Sequence, residues 1–138
     1  MEDSIFTRII KGEIPCHKVY EDDHVLGFLD INPILPGHIL MVSKLQIDHV
    51  YDLPDDEYKA LWSAVKRVAA HAKGVMGTTR SVLLVMGYDV PHAHVHIIPS
   101  NTSRNLYDSL VQITDINKDS VVEPDHTALA QIAQRLQI

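Results

Sequence analysis

Apolar residues recur along this chain with two periods, one helical and one alternating, and the switches between them mark its elements. In "DSIFTRIIKGEIP", Phe6, Ile9 and Ile10 fall on one helical side, Asp3 or Ser4 is suited to cap the start, and Gly12 to end the helix before Pro15. "HKVYED" and "HVLGFLD" read as two strands, with Glu21-Asp22-Asp23 as the hairpin signal between them. "INPILPG" is a turn punctuated by Pro33, Pro36 and Gly37, and "HILMVSK" is a third strand. From about Pro54 to Lys73 the period is helical again, with Tyr58, Leu61, Trp62, Val65, Val68, Ala69 and Ala72 in one stripe. Pro54 suits the first helical position, Asp55, Asp56 and Glu57 complement the dipole, and Gly74 fits the C-terminal cap. "SVLLVMG" is a near-continuous apolar strand, expected to be buried on both sides, and "HAHVHII" is a fifth strand. "DHTALAQIAQRLQI" closes the chain as an amphipathic helix.

Short turns between most successive strands predict antiparallel pairing. The expected fold is therefore α+β: a five-stranded antiparallel sheet covered by one long and two shorter helices. No repeat, low-complexity stretch or linker interrupts it, so residues 1–138 are expected to form a single domain.

Composition narrows the function classes. A formal net charge of −6 argues against a nucleic-acid partner, whose binders are basic, but leaves room for a local nucleotide site. Cys16 is the lone cysteine, so no internal disulfide marks an oxidising compartment. The acidic start "MEDSIFTRIIKGEIP" lacks a secretory signal's apolar run, and no window approaches the ~20 apolar residues of a membrane span. A cytoplasmic protein with no membrane partner is the expectation.

The candidate chemistry lies in "DVPHAHVHIIPS". Side chains alternate along a strand, so His92, His94 and His96 would share one face while Ala93, Val95 and Ile97 take the other. A solvated polar face is the bland reading, yet such faces are mixed, and here no Lys, Glu or Thr intervenes. A metal site is the second reading. At a rise of ~3.3 Å per residue, His92 and His96 stand ~13 Å apart, whereas one tetrahedral zinc needs ligand nitrogens roughly 3.3 Å apart. A histidine pair with a remote third ligand is what remains of it. The third reading is a row of imidazoles along a phosphate-bearing substrate, the middle one attacking phosphorus and its neighbours assisting.

His92-Ala93-His94-Val95-His96-Ile97-Ile98 resembles the His-φ-His-φ-His-φ-φ signature of the histidine triad (HIT) superfamily at every position. "SIFTRIIKGEIP" and "VYEDDHVLGFLDINPILPGHILMV" resemble the same family in order and spacing, so the likeness covers roughly residues 4–99 and leaves 100–138 as a C-terminal extension. The resemblance implies a nucleotidyl hydrolase or transferase, cleaving at the α-phosphate of purine nucleoside phosphoramidates or related adenylates through a covalent nucleotidyl-histidine. His94 matches the nucleophile, His92 the residue whose carbonyl orients it, His96 a phosphate contact, and His38 a fourth, supporting histidine. Asp30 resembles the carboxylate that accepts both ribose hydroxyls, a task suited to an acceptor-only group. Ile5, Phe6, Ile9, Phe28 and Ile31 match positions lining the purine pocket. No metal or other cofactor is implied, and relatives form homodimers with a sheet continuous across the interface.

The chain departs from the family at "MGYDVPH", where Tyr88 and Asp89 occupy the places of a Gln and a hydroxyl that bind phosphate. Asp89 is expected either to donate to the leaving group or to favour a charged triad histidine; the bland reading is a turn aspartate before Val90-Pro91. Thr7 and Ile10 replace the Cys-x-x-Cys that begins a structural zinc site in some members, and Gln46 stands where many carry histidine. The altered loop keeps an alternative open: a catalytically weak nucleotide-binding regulatory protein.

Overall fold

Five strands, β1 (Lys18–Glu21), β2 (Val25–Leu29), β3 (Ile39–Ser43), β4 (Arg80–Leu84) and β5 (His94–Ser100), form one antiparallel sheet in the order β1-β2-β3-β5-β4. Among the described residues, three helices with defined bounds accompany them: α1 (Ile5–Ile10), α2 (Asp55–Met76) and α3 (His126–Leu136). This computed structural model describes residues 2–101, 106, 108, 110 and 123–138, so part of the expected C-terminal extension lies outside the described residues. The expected α+β class, with one long and two shorter helices, is the fold adopted.

Register decides what each face of the sheet does. Phe28 pairs with Leu40, Leu26 with Val42, Leu40 with His96 and Val42 with His94, so all six share one face. The opposite face carries Val25, Leu29, Ile39, Met41, Val95 and Ile97, which pack against Leu61, Val65 and Val68 of α2 and Leu129, Ala133 and Leu136 of α3. Full burial of each such aliphatic chain contributes ~1.5–3 kcal/mol, so this layer is the main hydrophobic core. The histidine face has a thinner apolar cluster, Phe6, Leu26, Phe28, Leu40 and Val42. α1 supplies Phe6, and the rest of that face is left for a site.

The hairpin at 21–23 forms as read, with Asp22 Oδ1 accepting the His24 and Val25 N–H groups at 2.7 and 2.8 Å. Ser4, one of the two expected caps, accepts the Thr7 N–H at the start of α1. Three local expectations are corrected. α2 runs past Gly74 to Met76 and is capped by Gly77 in the left-handed region (φ 66°), because Val75 and Met76 still have core to pack against. Pro54 stands one position before the helix, as its N-cap. β4 is an edge strand with Leu83 44% exposed, not a strand buried on both sides: α2 covers one face, and β5 is its one strand neighbour in the sheet.

Candidate functional site

β5 begins at His94, not at His92. The Ala93 N–H bonds the Ile47 carbonyl and the His92 N–H that of Val90, which ties these residues into loops before the ladder starts. The expected three-in-a-row face is therefore two residues on the strand, His94 and His96, preceded by a histidine of different character. His92 is wholly buried, its Nε2–H donating to the Ser43 carbonyl at 2.6 Å. That leaves Nδ1 to accept from the Ser4 hydroxyl at 2.6 Å. Gln46 binds the same corner, its Oε1 accepting from the Ser4 N–H and the Thr7 hydroxyl. His92 thus links the start of α1 to the end of β3, and burial lowers its pKa.

What His92 offers His94 is its backbone. His94 Nδ1 lies 2.6 Å from the His92 carbonyl, which only accepts, so the proton sits on Nδ1 and Nε2 carries a free lone pair. Burial lowers the His94 pKa, against the His92 carbonyl and the Asp89 carboxylate, both of which favour the charged ring. The ring packs edge-on to Phe6, with centroids 4.9 Å apart, which holds its plane.

A second chain of tautomers runs through His38 and His96. The Ile34 N–H donates to His38 Nδ1 at 3.1 Å, so the His38 proton is on Nε2, 2.9 Å from His96 Nδ1. His96 in turn donates to the Met86 carbonyl. Burial, reinforced by the neighbouring histidines, lowers the His38 pKa to about 3 and the His96 pKa to about 4. Both rings are therefore neutral near pH 7. Asp30 closes the group, its Oδ2 3.7 Å from His38 Nε2 and its Oδ1 accepting the Asn32 N–H; burial raises its pKa. Asp30, His38 and His96 also place one ligand atom each within 4.8 Å of one another, the one metal-compatible cluster among the described residues. The His38 Nε2–H is already committed to His96, so the set reads as a hydrogen-bond network.

These groups border a cavity of about 640 Å³. Of the residues expected at the site, Ile5, Phe6, Ile9, Phe28, Asp30, Ile31, Asp89, His94 and His96 line it, whereas His38 and His92 stand behind the lining. Ile5 and Ile31 are 50% and 45% exposed and leave apolar surface in the cavity wall. The cavity thus combines an apolar slot with the Asp30 and Asp89 carboxylates and the His94 ring in its wall.

The HIT domain sequence family matches residues 11–103. The chain belongs to the HIT family. It is 40% identical over 103 residues to "Protein hit" of Bacillus subtilis, covering 71% of each chain. It is 34% identical over 105 residues to the adenosine 5′-monophosphoramidase HNT1 of Saccharomyces cerevisiae, covering 73% of this chain and 65% of that one. The adenylylsulfatase HINT3 of Arabidopsis thaliana is 37% identical over 102 residues, covering 70% of this chain and 52% of that protein. Among solved structures, a Hit-like protein of Bartonella henselae superposes with a TM-score of 0.77 at 26% identity, over 98% of this chain and 95% of that one.

Within this HIT fold, several cavity residues escaped the sequence reading. Ile14, Cys16, Leu40, Met86 and Val90 reach the same cavity from the turn after α1, from β3 and from the loop before β5. Leu40 was recoverable in principle, because strand alternation puts it on the face of His38. Met86 and Val90 carried no local signal, since a loop's path is set by what it packs on. Gln46, noted only as a departure, proves to anchor the start of α1 through Ser4 and Thr7.

Proposed function

We propose that this HIT protein hydrolyses or transfers at the α-phosphate of a purine nucleoside phosphoramidate or related adenylate, releasing a nucleoside monophosphate. The observation that carries the reading is the His94 ring: Nδ1–H held by the His92 carbonyl at 2.6 Å, and an unprotonated Nε2 at the cavity. Activities in the names of two relatives, a monophosphoramidase and an adenylylsulfatase, support the same bond class.

In this reading the purine lies between Ile5, Phe6, Ile9, Phe28 and Ile31, gripped by apolar contact. Asp30 accepts the ribose hydroxyls. His94 Nε2 attacks phosphorus, an Nε2–P bond forms, and the bond to the leaving group breaks; a leaving nitrogen takes its proton from solvent. The ring is then cationic, and the Asp89 carboxylate and the His92 carbonyl, both of which favour its charged form, stabilise it. Water next attacks phosphorus, the Nε2–P bond breaks, and one proton is released. His96 turns its ring N–H from the Met86 carbonyl to a phosphate oxygen, and His38 fixes the His96 tautomer. One hard displacement becomes two easier ones. The protein is assigned to the cytoplasm and to a homodimer through the β4 edge, where Leu83 and Tyr58 of the adjoining α2 are exposed apolar groups.

The test is trapping. Incubation with a labelled adenylyl donor, followed by quenching, is expected to leave an acid-labile adduct on His94, and His94→Ala to lose ~10³-fold or more in turnover. No adduct, together with full hydrolysis by His94→Ala, would overturn the reading.

A further inference from the structure

The loop after β3 supports His94 from one side and α1 supports it from the other, and the two meet at Gln46. The peptide between His92 and Ala93 is the plane that orients His94. Its carbonyl faces His94 Nδ1 at 2.6 Å, and its N–H donates to the Ile47 carbonyl at 2.6 Å. The same loop accepts the His92 ring proton at the Ser43 carbonyl. Gln46, between Ser43 and Ile47, turns its side chain to the start of α1. Its Oε1 accepts from the Ser4 N–H at 2.9 Å and from the Thr7 hydroxyl at 2.5 Å, and its Nε2 donates to the Glu2 carbonyl at 2.9 Å. We propose that Gln46 and Thr7 are positioning residues for His94, and that through them a base bound against α1 raises kcat as well as affinity. The inference rests on the function proposed above and adds what the base does for the chemical step.

The coupling follows from how α1 is held. A six-residue helix gains too little from its own hydrogen bonds to stay folded, so its contacts decide its order. Phe6 is its one buried residue. Ile5 and Ile9 line the cavity, and Ile5 is half exposed, so a ligand there adds burial to the helix. A base seated on them contacts α1 only in its docked position, and a ligand shifts an equilibrium by just such a difference in affinity. The docked position is the one in which Thr7 reaches Gln46, and Ser4 reaches His92 Nδ1 at 2.6 Å. Contacts far from phosphorus thus serve to align His94 Nε2. A displacement of ~1 Å at a reacting group can cost about 10²-fold in rate.

The hydrogen bonds of this corner form a directed chain. Thr7 donates its hydroxyl proton to Gln46, Ser4 donates its own to His92, and Ser4 Oγ accepts the Thr7 N–H at 3.0 Å. The ion pairs Lys11–Asp3 and Arg8–Glu13 lie within the N-terminal segment itself and do not tie it to the sheet. Loss of the Gln46 amide or of the Thr7 hydroxyl therefore loosens α1 from the loop. Neither residue lines the cavity, so each acts on substrate only through α1 and His94.

The experiment uses adenosine 5′-phosphoramidate and its base-less counterpart, the 5-phosphoramidate of methyl riboside, with and without free adenine. In the wild type the base-less substrate is expected to lose about tenfold or more in kcat, beyond its rise in KM, and saturating adenine to recover part of that loss. Gln46→Ala and Thr7→Ala are expected to lower kcat for the adenosine substrate by about tenfold, with a smaller change in KM, and to remove the adenine response. Thr7→Ser keeps the hydroxyl and is expected to restore both. A base-less substrate that matches the adenosine one in kcat, or an adenine response undiminished in both alanine variants, would overturn this inference alone. The first of these is read in the wild type, so it decides even where an alanine variant fails to fold. Absence of turnover with adenosine 5′-phosphoramidate would instead overturn the proposed function, and this inference with it.

Discussion

His92 and His94 are the same residue type two positions apart, and their partners give them opposite tasks. Acceptors and donors occupy both ring nitrogens of His92, so its ring is structural and only its carbonyl reaches the chemistry. His94 has one nitrogen held and the other free. Since burial places the His94 pKa below the ordinary 6.5, the reactive neutral ring persists into mildly acid solution. The acid limb of kcat/KM is therefore expected to have its midpoint below pH 6.5, and a midpoint at 6.5 or above would contradict the assignment of His94. Asp89 opposes that shift electrostatically. Asp89→Asn should move the limb to still lower pH and slow turnover, because the cationic intermediate loses a neighbouring carboxylate. An unchanged profile and rate would remove Asp89 from the mechanism.

At the scale of elements, α1 is only six residues long and would be marginal alone. It is held by Ser4, which caps the Thr7 N–H and donates to His92 Nδ1, and by Phe6, which packs on Phe28 and His94. The helix is thus at once a wall of the cavity and a clamp on His94, the proposed nucleophile. Ser4→Ala removes a cap and leaves a buried ring nitrogen without its donor. A loss of about 1–3 kcal/mol in urea unfolding is expected, with a fall in kcat larger than any change in KM, since the displaced group is the His92 carbonyl behind the nucleophile. Wild-type stability in this variant would mean that Ser4 does not hold the corner. The β5 ladder shows the same economy: starting at His94, it leaves His92 free to turn its ring toward α1 and β3.

For the whole molecule, the buried histidines make stability depend on pH. Folded His38 and His96 titrate at about 3 and about 4, while in the unfolded chain both have the ordinary 6.5. Between pH 6.5 and about 4 the unfolded state therefore binds more protons than the folded one. Stability is full above 6.5 and is lost as pH falls, at up to ~1.4 kcal/mol per pH unit for each group. Urea midpoints measured from pH 8 to 4 should be flat above 6.5 and then decline, and His38→Asn should flatten the decline. A midpoint constant down to pH 4 would contradict it. The open edge of β4 makes the second prediction at this scale. Light scattering at micromolar concentration should report a dimer, and Leu83→Arg should shift it to monomer by placing a charge on the β4 edge. A wild-type monomer would refute the assembly.

What the sequence determined by itself was whatever is carried by local periodicity and short-range spacing. That covers the five strands, the three helices, the antiparallel α+β class, and the association of His94 and His96 on one face; Phe28 and Asp30 were placed beside them by the resemblance to the HIT family, not by periodicity. Periodicity records which side of an element is apolar, and it did so correctly for α2 and for the sheet. It did not record how far packing continues, which is why α2 passes Gly74, nor whether a second layer exists, which is why apolar β4 lies at an edge with one face covered. Tertiary structure alone decided the protonation of His92 and His96, because their tautomers depend on partners 49 to 88 residues away: Ser4 and Ser43 for His92, His38 for His96. It also decided that Met86, Val90 and His94 share one cavity, a fact of loop paths that no periodic pattern encodes.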